Sequence, residues 1–345
     1  MEKLFFFWFA WLVIMFPNFE GEALAKNNLV EFRKPVDSIR RRLFPKKEFT
    51  HGAGDYRRKL RGEFRSRYYE IHVPPSYDKK SPVPVVMVFH GGGGDPGSVR
   101  YSSRMDSTSD KNGFIVAYPA GTPTRSFLKD RLMIWNDGRP FKDGKHSEVD
   151  DVAYVDALLA DLSTLFTVDE KRIYACGYSN GAQFVYRLAK RRSDVIAAIA
   201  AVAGPRPPKD NFDPAPSRPI PLLQFAGVQD TFSPYEGGRP PGDAAFKAEV
   251  KPVREVVKAW ADFNKCRDKP VEEKRIGQAV MRRYGNCRAG AEVIFWTLED
   301  AGHTWPGGRV TPNAEVLGLG SLGKVNTDIN AAALMWEFFK KHPLP

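Results

Sequence analysis

The stretch Arg172-Ile173-Tyr174-Ala175-Cys176-Gly177-Tyr178-Ser179-Asn180-Gly181-Ala182-Gln183-Phe184-Val185-Tyr186-Arg187-Leu188-Ala189 decides the fold. Its first five residues are an apolar run of strand formers. Its last eight have helical spacing. Between them lies Gly177-Tyr178-Ser179-Asn180-Gly181, a G-x-S-x-G pentapeptide. Strand, G-x-S-x-G and helix in that order are what a nucleophile elbow requires. The serine sits in a tight turn, and small neighbours let strand and helix approach. Its hydroxyl is then presented at the N-terminus of a helix, where free backbone N–H groups favour negative charge. That context implies acyl transfer through a serine nucleophile. The competing reading is a glycine-rich turn with no chemistry, so the rest of the chain must decide.

The chain has 345 residues and 42% apolar content, enough for one large α/β domain or two small ones. The N-terminus reads as a targeting segment. Lys3 precedes an uninterrupted apolar run, Leu4 to Phe16, and Ala23-Leu24-Ala25 fits a small-x-small cleavage site. The run is short for a bilayer span, and an uncleaved anchor is the competing reading. Residues 1–25 are therefore expected to be a signal peptide, and the protein to be secreted or periplasmic, with no stable membrane span after cleavage.

The net charge of +11 is unevenly placed. Residues 26–68 carry 14 Lys/Arg against 5 Asp/Glu, including Arg40-Arg41-Arg42, whereas residues 69–345 carry only +4. The basicity thus reads as a property of an N-terminal arm, residues 26–65, and the catalytic domain as residues 66–345. Such an arm suits an anionic envelope surface or a solvated tether, and no nucleic-acid partner is expected. The sequence leaves the oligomeric state open. Export permits disulfides. Cys266 and Cys287, separated by a polar stretch, are read as a pair, and Cys176 as a small core residue. Three cysteines give no metal-site spacing.

Strands are expected at Tyr68–Val73, Pro84–Phe89, Phe114–Tyr118, Val195–Val202, Ile220–Ala226, Gln278–Tyr284 and Glu292–Leu298, beside the elbow strand. Helices are expected at Asp151–Phe166, Pro252–Phe263 and Asn330–Lys340, beside the elbow helix. Residues 121–148 read as a long polar loop containing Trp135-Asn136-Asp137-Gly138-Arg139. Strands and helices that alternate imply a mainly parallel sheet covered on both faces, with ligands at the carboxyl ends of the strands.

A serine nucleophile needs a base, an acid that orients the base, and N–H donors for the oxyanion. The base candidate is His303, in Gly302-His303-Thr304-Trp305-Pro306-Gly307-Gly308, just past a strand. The other five histidines lie in polar segments (His51, His146), inside a strand (His72), beside the glycine run (His90) or past the closing helix (His342). The acid candidate is Asp230, past the Ile220–Ala226 strand, with Asp300 as a rival too close to His303 in sequence to face its ring easily. Ser179, Asp230 and His303 stand in the order Ser, acid, His of α/β-hydrolases. The oxyanion candidates are the backbone N–H groups of Asn180 and of the His90-Gly91-Gly92-Gly93-Gly94 loop, most readily Gly92. A phosphate-cradling role for these glycines fails, because no Gly-Lys-Ser/Thr follows.

These residues resemble the esterases related to poly(3-hydroxybutyrate) depolymerases, and their relatives the feruloyl and acetylxylan esterases. The resemblance rests on Val88-Phe89-His90-Gly91-Gly92-Gly93, Trp135-Asn136-Asp137-Gly138 and Val149-Asp150-Asp151-Val152-Ala153-Tyr154-Val155. It rests also on Cys176-Gly177-Tyr178-Ser179-Asn180-Gly181-Ala182 and Gly302-His303-Thr304-Trp305-Pro306-Gly307, and covers about residues 66–342. It implies an α/β-hydrolase fold, with nucleophile, acid and base at Ser179, Asp230 and His303 and paired cysteines at Cys266 and Cys287. Gly92 stands where many members carry a cysteine, so no disulfide is expected to tie that loop. No polymer-binding module or threonine-rich linker follows the catalytic region, so adsorption to crystalline polyester is not expected.

The expectation is therefore an exported serine carboxylesterase needing no metal or organic cofactor. Its substrate would be a small ester, a hydroxyalkanoate oligomer, or a feruloyl or acetyl ester of a polysaccharide. Trp135 and Trp305 are candidates for the pocket wall, since aromatic faces suit a feruloyl ring or a sugar. A serine peptidase of the same fold and an inactive binding protein built on it are the alternatives.

Overall fold

The computed structural model describes residues 52–345 apart from 61–63, 65–66, 124–131, 140–147, 209–212, 240–249 and 311–321. The expected leader (residues 1–25), nearly all of the arm that precedes residue 52, and His51 and His146 lie outside the described residues.

One sheet of ten strands organises the chain. Its strands are β1 (Gly54–Lys59), β2 (Tyr68–Val73), β3 (Val83–Phe89), β4 (Ile115–Pro119), β7 (Val168–Tyr178), β8 (Ala198–Val202), β9 (Leu222–Gly227), β10 (Glu272–Ile276), β11 (Ala279–Tyr284) and β12 (Val293–Leu298). A separate two-stranded ladder pairs β5 (Thr122–Pro123) with β6 (Met133–Ile134) inside the long polar loop. The sheet order is β1-β2-β4-β3-β7-β8-β9-β12-β11-β10. The six central strands, β4 to β12, run parallel, and the two outer strands at each side are antiparallel. Every residue of β3, β4, β8 and β9 is buried, as parallel strands with both faces covered demand.

The covering helices are α1 (Pro96–Ser103), α2 (Met105–Asn112), α3 (Asp151–Leu165), α4 (Asn180–Arg191), α5 (Val253–Phe263) and α6 (Ala331–Phe339). The chain leaves β3 for β4 on one side of it and returns to β7 on the other. The sheet therefore reverses its winding between β3 and β7, and the crevice at the carboxyl ends of those two strands is where such folds bind ligands. Both the His90–Gly94 loop and Ser179 emerge there.

Two departures from the sequence reading have clear causes. Residues 54–59, read as part of a solvated arm, form the edge strand β1, paired with β2 over its whole length. Three of their charges are matched individually: Arg57 to Glu70, Arg58 to Asp161 at 2.7 Å, and Asp55 to His72 at 2.7 Å. Arg67, also counted with the arm, is buried and bonds the Asp151 carboxylate at 2.9 Å. A charged edge strand is a usual guard against edge-to-edge pairing. The helices α1 and α2 were not expected, because few of their residues are apolar. Capping starts α1 instead: Asp95 accepts from the Ser98 N–H at 2.7 Å and Ser98 Oγ accepts from the Asp95 N–H at 2.8 Å, with Pro96 following the cap.

Candidate active site

Ser179 follows β7 and caps α4 with φ 54° and ψ −120°. Positive φ is strained for a residue with a Cβ, and such strain persists only where the surroundings enforce it. Here the Ser179 N–H donates to the Val202 carbonyl at 2.9 Å and its carbonyl accepts from the Gln183 N–H at 3.0 Å. The flanking glycines are required by contact. A Cβ on Gly177 would lie 2.5 Å from the Gly181 backbone, and one on Gly181 would lie 2.3 Å from the His90 carbonyl oxygen. The elbow thus packs directly against the end of β3. Ser179 is half-buried there.

His303 and Asp230 meet from the ends of neighbouring strands β12 and β9. His303 Nδ1 lies 2.7 Å from Asp230 Oδ2. The other carboxylate oxygen accepts from the N–H groups of Phe232 and Ser233, each at 2.8 Å. One oxygen is thus fixed by backbone, and the other is free to hold the imidazole. A carboxylate at Nδ1 keeps the proton on that nitrogen and leaves Nε2 as an acceptor. The ring packs against Tyr178 and Phe232, each 5.1 Å away centroid to centroid, and the Tyr178 hydroxyl donates to the His303 carbonyl. Tyr178 is the residue before Ser179, so this bond ties the histidine turn to the elbow. The rival Asp300 faces elsewhere, bonded to Lys324 at 2.7 Å and Asn326 at 2.9 Å.

The glycine loop is oriented by His90. The Gly121 N–H donates to His90 Nε2 at 2.9 Å, so Nε2 is an acceptor and the proton sits on Nδ1, which donates to the Gly91 carbonyl at 2.8 Å. Burial drives this imidazole well below its usual range, to about 4, against the pull of the Gly91 carbonyl. The Gly91–Gly92 peptide is trans, so a carbonyl held toward His90 points the Gly92 N–H the opposite way. The next two N–H groups are used internally: Gly93 donates to Met133 at 2.8 Å and Gly94 to Gly91 at 3.0 Å. Among the described residues, the N–H groups of Gly92 and Asn180 have no hydrogen-bond partner. The two residues are close, since a Cβ on Gly92 would lie 3.5 Å from that of Asn180. Two free donors beside a strained serine are the arrangement that stabilises an oxyanion.

The family profile "Esterase PHB depolymerase" matches residues 67–205, which include the glycine loop and the elbow. NocK of Nocardia uniformis subsp. tsuyamanensis, a protein named as an esterase, is 30% identical over 269 residues, covering 74% of this chain and 75% of NocK. The chain belongs to the PHB depolymerase esterase family. This esterase is also 26% identical over 247 residues to feruloyl esterase B of Piromyces equi, covering 70% of this chain and 43% of that larger relative. The acetyl xylan esterase of Aspergillus awamori superposes with a TM-score of 0.52 at 14% identity, over 73% of this chain and 94% of that one, a likeness of fold. Family and fold together make the protein a carboxylic ester hydrolase of α/β-hydrolase architecture.

The esterase places the two tryptophans differently from the sequence reading. Trp135 has no exposed surface. It stacks on Phe184 at 5.1 Å, meets Phe89 edge-on at 5.1 Å, and donates its indole N–H to the His90 carbonyl at 3.0 Å. Trp305 is 2% exposed and belongs to the core under α6. Rings with at most 2% of their surface exposed offer a substrate no face, so neither lines a pocket wall here. Cys266 and Cys287 are disulfide-bonded, and Cys176 is a buried free thiol whose burial pushes its pKa up.

The site contacts that sequence reasoning missed are Tyr178 and Phe232 around His303, and the side chain of Asn180. Tyr178 stood in the variable position of the pentapeptide, where nothing marks it. Asn180 was singled out only for its backbone.

Among the described residues, one group of metal-ligand type comes together: Asp55, His72 and Asp106. It lies on β1, β2 and α2 at the edge of the sheet. The Arg100 guanidinium bonds both Asp55 and Asp106 and already supplies the cation there. No helix among the described residues is long and apolar enough to cross a membrane.

Proposed function

We propose that this esterase works through a serine acyl-enzyme. Ser179 Oγ attacks the ester carbonyl while His303 Nε2 takes its proton. Asp230 holds the imidazole in the required tautomer and stabilises the imidazolium that forms. The N–H groups of Gly92 and Asn180 receive the tetrahedral oxyanion. His303 then protonates the leaving alcohol, and water releases the acid by the same steps in reverse. The observation that carries this reading is the Asp230–His303 contact at 2.7 Å, tied to the Ser179 elbow at φ 54° by the Tyr178 hydroxyl, which donates to the His303 carbonyl.

The substrate class we propose is a short-chain ester, a hydroxyalkanoate oligomer, or a feruloyl or acetyl ester on a polysaccharide. Relatives named feruloyl esterase B and bifunctional acetylxylan esterase/xylanase support it. Export, with residues 1–25 as a cleaved leader ahead of the catalytic domain, belongs to the same proposal and is supported by the Cys266–Cys287 disulfide. The test is a hydrolysis panel on the mature protein: p-nitrophenyl acetate and butyrate, methyl ferulate, acetylated xylan and hydroxybutyrate oligomers. Turnover of at least one class, abolished by a fluorophosphonate, is the expected result. Turnover that a fluorophosphonate leaves intact would reject the serine mechanism.

A further inference from the structure

The side chain of Asn180 turns away from the crevice and into a buried polar cluster. Its Oδ1 accepts from the Trp135 N–H at 2.8 Å. Its Nδ2 donates to Asp137 Oδ2 at 3.0 Å and to the Trp135 carbonyl at 3.2 Å. Three of the four hydrogen bonds an asparagine side chain can form are thus spent on one short segment. The same Trp135 reaches the other side of the site, donating its indole N–H to the His90 carbonyl at 3.0 Å. One residue therefore contacts both segments that carry the free N–H donors.

That segment is anchored independently of the site. The Asn136 N–H donates to Asp151 at 2.7 Å, its amide donates to the Val149 carbonyl at 2.8 Å, and Arg187 donates to Asn136 Oδ1 at 2.6 Å. Asp137 has no exposed surface. Arg139 grips it through Nη2 at 2.6 Å, and Arg206 stands 3.6 Å away. Burial would raise the Asp137 pKa, but the guanidiniums outweigh it and hold the carboxyl below its usual value. An ionised carboxylate so deep is tolerated only because it is paired. Held by those guanidiniums, the carboxylate is a fixed acceptor for the Asn180 amide.

We infer that Trp135 and Asp137 form a positioning brace that sets the spacing and aim of the Gly92 and Asn180 N–H groups, acting on one through His90 and on the other through the Asn180 amide. The inference rests on the serine-esterase reading above. Oxyanion donors act only when they match the transition state, and small misplacements cost rate without costing substrate affinity. The brace is not catalytic, because none of its side chains touches substrate.

The experiment measures kcat and KM on p-nitrophenyl acetate, with kcat expressed per site titrated to end point by a fluorophosphonate. The variants are Asn180→Ala, Asp137→Asn, Asn180→Asp, the double variant Asn180→Asp/Asp137→Asn, and Ser179→Ala as a control. Asn180→Ala keeps the backbone N–H and removes only the strut. It and Asp137→Asn are expected to lower kcat per site on the order of 10- to 100-fold with KM little changed. Asn180→Asp sets two carboxylates against each other where 3.0 Å now separates amide from carboxylate, so it should lose more. The double variant restores an amide–carboxylate pair and should recover at least a tenfold part of that loss. A kcat per site within twofold of the parent for Asn180→Ala, or losses seen only as fewer titratable sites, would overturn the brace. A double variant no better than Asn180→Asp would do the same. An active Ser179→Ala would instead reject the serine reading, which separates the two failures.

Discussion

The Tyr178 hydroxyl donates a hydrogen bond to the carbonyl oxygen of His303, across 125 residues of sequence. It joins the residue before the candidate nucleophile to the candidate base, which otherwise arrive from strands on different parts of the sheet. Tyr178→Phe removes the donor and keeps the ring against the imidazole. The buried carbonyl left behind should cost about 1–3 kcal/mol of stability. Turnover should fall several-fold while KM stays close to the parent value. Chemical denaturation and steady-state kinetics check both; an unchanged kcat would show that the bond does not hold the histidine in register.

Asp230→Asn should leave the fold intact, because the N–H groups of Phe232 and Ser233 keep an oxygen acceptor. It should lower kcat by about 10⁴-fold, since the amide no longer fixes the tautomer of His303. Asp300→Asn should change kcat little, as Asp300 is bonded to Lys324 and Asn326. A larger effect at Asp300 than at Asp230 would reassign the acid.

Two histidines should give opposite dependences of stability on pH. His90 is held neutral, with its pKa lowered to about 4 by burial. As pH falls from about 6.5 to 4 the unfolded chain binds a proton that the native state refuses, so stability falls in that window. His72 is shifted the other way. Burial opposes its charged form, but hydrogen bonds to Asp55 and Asp110 and the charge of Asp106 outweigh it. Arg100 and the Tyr118 hydroxyl share the same carboxylates. A raised pKa means that its contribution is fully present below about 6.5 and is lost as pH rises through the folded value. Melting temperatures of His90→Gln and His72→Gln against the parent check this. His90→Gln should flatten the acid limb, and His72→Gln the decline on the alkaline side of 6.5. Parallel curves for parent and variants would contradict both assignments.

Much of this was legible before any coordinates, and the reason differs by element. The parallel strands are short apolar runs closed by glycine or proline, so β3, β4, β8 and β9 could be read directly. The elbow could be read because a G-x-S-x-G turn leaves no room for side chains at Gly177 and Gly181. The strand β1 was hidden because Gly54–Lys59 is mostly polar and its charges find partners only in three dimensions. The helices α1 and α2 depend on a cap and on turns at Arg104 and Gly113, not on an apolar stripe. Trp135 was misread because an aromatic in a polar loop looks like a ligand contact. Its indole and backbone are instead committed to His90 and Asn180.

The disulfide closes a segment 21 residues long, from the end of α5 to the turn after β11. In the chain-entropy account, a loop of that size contributes roughly 3 kcal/mol. The paired substitution Cys266→Ser/Cys287→Ser should lower stability by about that amount and leave kcat nearly unchanged. Denaturation of parent and variant under non-reducing conditions measures it. No difference in midpoint would show that the bond adds nothing to the fold.

The serine assignment is tested most directly by p-nitrophenyl acetate hydrolysis with Ser179→Ala, compared with the parent protein after circular dichroism has shown both to be folded. Removal of the nucleophile is expected to lower kcat/KM by several thousandfold or more, leaving a residue of rate from the oxyanion donors and binding alone. A folded Ser179→Ala protein that kept a tenth of the parental activity would contradict it, and would move the chemistry to another group.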